Sequence, residues 1–128
     1  MTQFENEHYQ AIKHGLELFN SEKFWECHEY LEDEWMELRG DPVRNVFWAV
    51  IQAATVLVHV RNENLAGAQG MLKKTLEKLE RVEKDFIESD YMEECLKWNE
   101  LKAILREIPK DSKLLDFERL MKFKFPKV

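Results

Sequence analysis

The sequence predicts an all-α fold: a compact bundle of five to six helices built from antiparallel helical hairpins. Three observations carry that prediction. Four Gly and three Pro in 128 residues leave few breaks in the chain, which favours long helices over a turn-rich β fold. Apolar residues recur at spacings of three and four over long stretches, the period of a one-sided helix. Stop and start signals at Asn20-Ser21, Gly40-Asp41-Pro42, Asn64, Asp90 and Pro109 then cut the chain into pieces of helix length.

The first helix is predicted from about Gln3 to Phe19, with Phe4, Ala11, Ile12, Leu16 and Phe19 on one side. Ser21 is the expected N-cap of the second, because its hydroxyl can accept from the free amides of the next turn. That helix runs to about Leu38, and Gly40 stops it. Asp41-Pro42 places a capping acid before a proline at the first helical position, so a third helix starts there and continues to about Arg61. Asn64 caps a fourth, carrying Leu65, Leu72, Leu76, Leu79, Val82 and Phe86 along one face. Asp90 caps a fifth, with Met92, Cys95, Leu96, Leu101, Ile104, Leu105 and Ile108 inward and Pro109 ending it. Ser112 opens a short sixth helix through Leu120, and Phe123 and Phe125 of the tail are expected to dock on the core.

Phe24, Cys27, Leu31, Trp35 and Leu38 correspond, at an offset of 41, to Leu65, Ala68, Leu72, Leu76 and Leu79. Each set closes a helical hairpin, as in stacked two-helix repeats, so the architecture is loosely tetratricopeptide-like. Gly67, Ala68 and Gly70 give the second hairpin small residues that permit close helix contact.

Nineteen Lys and Arg against twenty-five Asp and Glu give a formal net charge of -6, which argues against a nucleic-acid backbone as the main partner. The longest apolar stretch, Val46 to Val60, is interrupted by Gln52, Thr55 and His59 and falls short of a membrane span. Cys27 and Cys95 lie in amphipathic runs without a CxxC spacing, and the first ten residues are acidic and polar. Buried reduced thiols in one cytoplasmic domain over residues 1–128, with no leader, are therefore expected.

The most informative segment is FWECHEYLEDEWMEL. At 100° per residue His28 falls among the apolar directions of Phe24, Cys27, Leu31 and Trp35, with Glu32 close by and Glu29 at the edge. His28 and Glu32, four apart on one face, can interact directly. A carboxylate turned inward needs partners, and the third helix offers a polar stripe of Gln52, Thr55 and His59 on an otherwise apolar surface. His8 could join from the first helix. His14 falls on the side of that helix and is expected to be exposed.

Metal chemistry has only fragments of a pattern. His28 and Glu32 can reach one ion with His59 as a third ligand, yet residues 28–32 read HEYLE, with Glu32 where a zincin has its second His. Glu5-Asn6-Glu7-His8 has the Glu-x-x-His spacing of di-iron bundles without a second copy. There is no GxSxG, Gly-rich phosphate loop or paired CxxC. The sequence specifies no cofactor and no catalytic residue.

The segment LELFNSEKFWECHEYLEDEW resembles the domain-of-unknown-function family 309, through Leu18, Phe19, Asn20, Phe24, His28, Glu29, Glu32 and Trp35. IQAATVLVHVRNENLAGAQGML resembles a second family segment, through Gln52, Ala53, Ala54, His59, Asn64, Gly67 and Ala68. Cys27 stands where the family usually has Ala, and the chain from about Asp85 lies outside the similar segments. The resemblance implies five or six helices and brings no activity.

The resulting reading is a small helical protein whose His28, Glu32, Gln52 and His59, with Glu29 beside them, form a polar cluster that binds a small ligand or cation. The two imidazoles would be donors or ligands, Glu32 the anionic acceptor and Gln52 the orienting amide. The alternative is a tetratricopeptide-like interaction or homo-oligomerisation module, with the cluster purely structural and Trp25, Trp48 and Trp98 as anchors. A hydrolase using Glu29 or Glu32 as general base ranks last.

Overall fold

Consecutive helices of this chain pair as hairpins around one central, predominantly apolar helix. The computed structural model describes residues 3–127. Among them, α1 (Asn6–Asn20) and α2 (Phe24–Met36) form the first hairpin, α3 (Arg44–Arg61) and α4 (Leu65–Lys84) the second, and α3 also packs on α2. Two shorter helices, α5 (Asp90–Leu96) and α6 (Trp98–Glu107), precede a 3-10 turn at Leu114–Phe117, α7 (Glu118–Lys122) and an extended tail. The fold is all-α, with seven α-helices among the described residues where five to six were expected. Val46, Val50, Ala53, Ala54 and Leu57 of α3 are buried from several sides. Each such Val or Leu stabilises the fold by roughly 1.5–3 kcal/mol relative to exposure.

Several boundaries differ from the expectation, each for a local reason. Ser21 closes α1 instead of opening α2: its N–H donates to Glu17 O, Glu22 turns left-handed (φ 60°), and Lys23 precedes α2 without a side-chain cap. Asp41 accepts from Val43 N at 2.9 Å and so shapes the turn before α3, which begins only at Arg44. Asn64 caps α4 as expected, accepting from Gly67 N at 3.0 Å. Phe86, expected inward, is 66% exposed, because α4 ends at Lys84 and the chain turns left-handed at Phe86 (φ 57°), swinging Ile87 into the core in its place.

The predicted fifth helix is two. In one continuous helix Trp98 would point about 200° away from Leu96, yet both are buried. Lys97 resolves the conflict by adopting a left-handed conformation (φ 48°), which re-aims the chain between α5 and α6. Trp98 Nε1 then donates to Glu88 Oε2 at 2.6 Å. Ser89, one residue before the expected Asp90, caps α5 by accepting from Met92 N.

Ser112 caps nothing; it is buried and its carbonyl accepts from Gln69 Nε2 at 2.8 Å, pinning the last segment to α4. The Asp116 carboxylate opens the 3-10 turn instead, its Oδ2 accepting from Lys113 N at 2.8 Å. Phe123 and Phe125 dock in the core, as expected. Asn20 clamps the tail: its Nδ2 donates to Phe125 O (2.9 Å) and its Oδ1 accepts from Phe125 N (2.8 Å). Cys27 and Cys95 are free and buried, and burial pushes the Cys27 thiol up to about 12.

Candidate functional site

The hairpin geometry brings α2, α3 and α4 together around a cleft of about 170 Å³. From α2 come His28, Glu32 and Trp35, each about one helical turn from the next. Ile51, Gln52 and Thr55, with Trp48 one turn earlier, supply the α3 wall, and Met71 and Lys74 the α4 lip. His28 Nε2 lies 3.0 Å from Glu32 Oε2. His28 is mostly covered, whereas the Glu32 side chain is 50% exposed. The inward acid drawn from the helical wheel is thus a carboxylate on the rim, which keeps its hydration and needs no buried counter-charge.

Gln52, only 6% exposed, is the buried polar group of α3. Its amide is satisfied in one orientation, with Nε2 donating to Lys74 O and Oε1 accepting from Trp48 Nε1, both at 3.1 Å. It therefore ties α4 to α3 and fixes an indole at the same time. The two cleft indoles lie 4.9 Å apart and each carries a cation of its own chain: Arg44 over Trp35 at 3.9 Å and Lys78 over Trp48 at 4.0 Å. Thr55 bonds back to Ile51 O within its own helix. Two buried nitrogens of cleft residues, His28 Nδ1 and Trp35 Nε1, have no hydrogen-bond partner among the described residues.

Other residues read from the sequence as site members lie elsewhere. His59 does not line the cleft; its Nδ1 is 3.3 Å from Asn64 Nδ2 at the α3–α4 turn, beside Gly67. Seven residues along a helix are about 10 Å of rise, so sharing a stripe with Gln52 did not put it in the same place. Glu29 is exposed on α2 and also outside the cleft. His8 is buried between Glu5 N and Asp41, away from α4. His14 is exposed, edge-on to Tyr30. Of the three proposed tryptophan anchors, Trp98 is 1% exposed, Trp48 is a cleft wall, and Trp25 is open to solvent beside His28. No group of three or more His, Cys, Asp or Glu side chains among the described residues is placed to hold a metal ion. None of the helices described is long and apolar enough to cross a membrane.

Sequence reasoning missed Trp35, Trp48, Ile51, Met71 and Lys74 as cleft residues. The one-turn spacing of Trp48 and Gln52 was the available signal on α3, whereas the α4 lip depends on how two hairpins stack.

Residues 12–71 match the family described as domain of unknown function (DUF309), so over that stretch the chain resembles its members. The match takes in all of α2 and α3 and every residue of the sequence-predicted cluster. An uncharacterized protein of Bacillus subtilis (strain 168), YpuF, is 35% identical over 68 residues, which is 51% of this chain and 37% of the relative. The chain thus spans a little over a third of that relative's length. No solved structure matches.

Proposed function

We propose that this small helical protein, acting as a single domain, binds a compact small molecule or cation in the α2–α3–α4 cleft. The observation that carries the reading is the His28–Glu32 pair at 3.0 Å on the rim of a hollow whose inner end is held by Gln52. Glu32 is the anionic acceptor for an N–H-bearing or cationic head, and His28, whose Nε2 lies 3.0 Å from the carboxylate, orients it. Trp35, Trp48, Ile51 and Met71 give the body of such a ligand an apolar bed. Gln52 acts through Trp48, as the positioning amide. His59 and Glu29, being outside the cleft, act on a ligand only if it extends beyond it. A cytoplasmic setting is part of the proposal, supported by two free, buried cysteines.

The test is a fragment screen with compounds of about ten heavy atoms, Zn²⁺ and methylguanidinium included, read at the indole N–H signals of Trp35 and Trp48. Saturable shifts that disappear in Glu32→Gln support the reading. A screen without hits, or hits indifferent to Glu32→Gln, overturns it.

A further inference from the structure

A larger hollow, of about 640 Å³, lies on another side of the molecule, between α1 and the extended tail. Its volume falls within the roughly 300–1,000 Å³ usual for small-molecule sites. Tyr9, Leu16 and Phe125, all nearly fully buried, give it an apolar interior. Its rim carries three ammonium groups, Lys13 from α1 with Lys124 and Lys127 from the tail, against one carboxylate, Glu17, among the described lining residues.

The charges are not equally committed. Glu17 Oε2 is 3.5 Å from His14 Nδ1. Lys124 Nζ donates to Asn20 O at 2.9 Å and lies 3.8 Å from Glu22, which is itself paired with Arg61. Lys13 and Lys127 have no ion-pair partner among the described residues. On a chain of net charge -6 this is a local reversal of sign over a concave, apolar surface, the arrangement that concentrates anions. The tail wall is preformed, because Asn20 holds both the N–H and the carbonyl of Phe125, and the Phe125 ring stacks edge-on to Phe19 at 5.0 Å. A wall ordered before binding spares the ligand that entropy cost. Burial first, then the nearness of Cys95 and Glu17, raises the Tyr9 phenol, which remains a neutral donor.

We propose that the hollow between α1 and the tail is a binding site for an amphipathic organic anion, a small molecule with an apolar body and a carboxylate or phosphate head. Leu16 and Phe125 bury the body, and Lys13 and Lys127 take the head. This site is independent of the cleft between α2, α3 and α4.

The test is calorimetric titration of the full chain with octanoate, octyl phosphate, octanol and octylammonium. Octanoate and octyl phosphate are expected to bind saturably at one site, octanol about tenfold more weakly and octylammonium not at all. A Lys13→Glu/Lys127→Glu variant with an unchanged thermal melt should lose about tenfold for both anions, and Glu32→Gln should lose nothing. Octanol binding as well as octanoate, no saturable binding, or indifference to the charge reversal each overturns the proposal. So does lysine-dependent cosedimentation with phosphatidylglycerol vesicles in the absence of octanoate binding, which would assign the rim to a membrane surface.

Discussion

His8 Nε2 lies 3.2 Å from Asp41 Oδ2, joining the first turn of α1 to the loop that leads into α3. The opposite ring nitrogen, Nδ1, accepts from Glu5 N at 2.9 Å. A nitrogen that accepts carries no proton in the neutral ring, so the proton is on Nε2 and is donated to Asp41. One buried side chain thereby satisfies a free amide at the start of α1 and crosses to a second helix pair. His8→Ala is expected to lower the unfolding free energy by about 2 kcal/mol in urea titrations, from two lost hydrogen bonds and a cavity. Combined with Asp41→Ala, which also loses the bond to Val43 N, the losses should fall short of additive by about 1 kcal/mol.

Gly15 sets how closely α1 and α2 approach. A Cβ at that position would come within 2.4 Å of Leu31 Cγ and Cδ2, and Leu31 is completely buried. The helix-propensity gain of alanine, about 1 kcal/mol, is therefore opposed by a core side chain forced off its place, at about 1–3 kcal/mol. Gly15→Ala should be destabilising, while Gly70→Ala, where nothing lies within 4 Å of the added carbon, should raise the denaturation midpoint.

The contrast between those two glycines also marks what the sequence can disclose. Punctuation at Gly40 and Asn64 and the apolar periodicity of α3 made the hairpins readable, because they depend on neighbours within a turn or two. The break at Lys97 escaped, since no Gly or Pro signals it; only the requirement to bury both Leu96 and Trp98 forces it. The same limit applies to the cleft. A helical wheel gives direction around an axis, which found His28 and Gln52, but it gives neither depth nor height. Glu32 has the right direction and ends half exposed, and His59 shares the direction of Gln52 at the wrong height. Lys74 came from a third helix and had no local signature.

Acid should act through Glu83. Its carboxylate is held by Arg106 (Nη2 at 2.5 Å from Oε1) and Lys102 (Nζ at 3.0 Å from Oε2), joining α4 to α6. The Arg106 hydrogen bond first, and that of Lys102 after it, lower the Glu83 pKa from 4.5 to about 2 against the opposing effect of burial. A depressed folded-state value means that the contribution is complete above the unfolded value and is lost as pH falls toward 2. The stability difference between the wild-type chain and Glu83→Gln should therefore be largest near neutral pH and shrink between pH 5 and 2, as followed by thermal melts across that range.

Glu32→Gln separates a structural role from a binding one. A half-exposed i,i+4 pair with His28 contributes at most about 1 kcal/mol, so the variant should melt within about 1 kcal/mol of the wild-type chain. Loss of several kcal/mol would instead identify the pair as a packing lock. Gln52→Leu should behave in the opposite way, because it leaves Trp48 Nε1 without the oxygen that now accepts from it and unties the side-chain bond from α3 to Lys74 O, at a cost of about 1–3 kcal/mol.

The tail depends on Asn20 in a way no other single side chain reproduces. Its amide holds the N–H and carbonyl of Phe125, and its own carbonyl accepts from Lys124 Nζ. In Asn20→Ala the two Phe125 backbone groups lose their partners beside a buried ring, so holding the tail in place costs more than releasing it to water. The variant should lose about 1–3 kcal/mol and be cut by trypsin at Lys122 and Lys124 under conditions that leave the wild-type chain intact. Lys124→Ala gives up one exposed hydrogen bond and a long, exposed ion pair with Glu22 and should resist cleavage at Lys122 like the wild-type chain. Because the tail is one wall of the α1 hollow, Asn20→Ala should also weaken octanoate binding while leaving the indole signals of Trp35 and Trp48 unmoved. Loss of those signals as well would mean that the tail holds the whole bundle together and not merely its own edge.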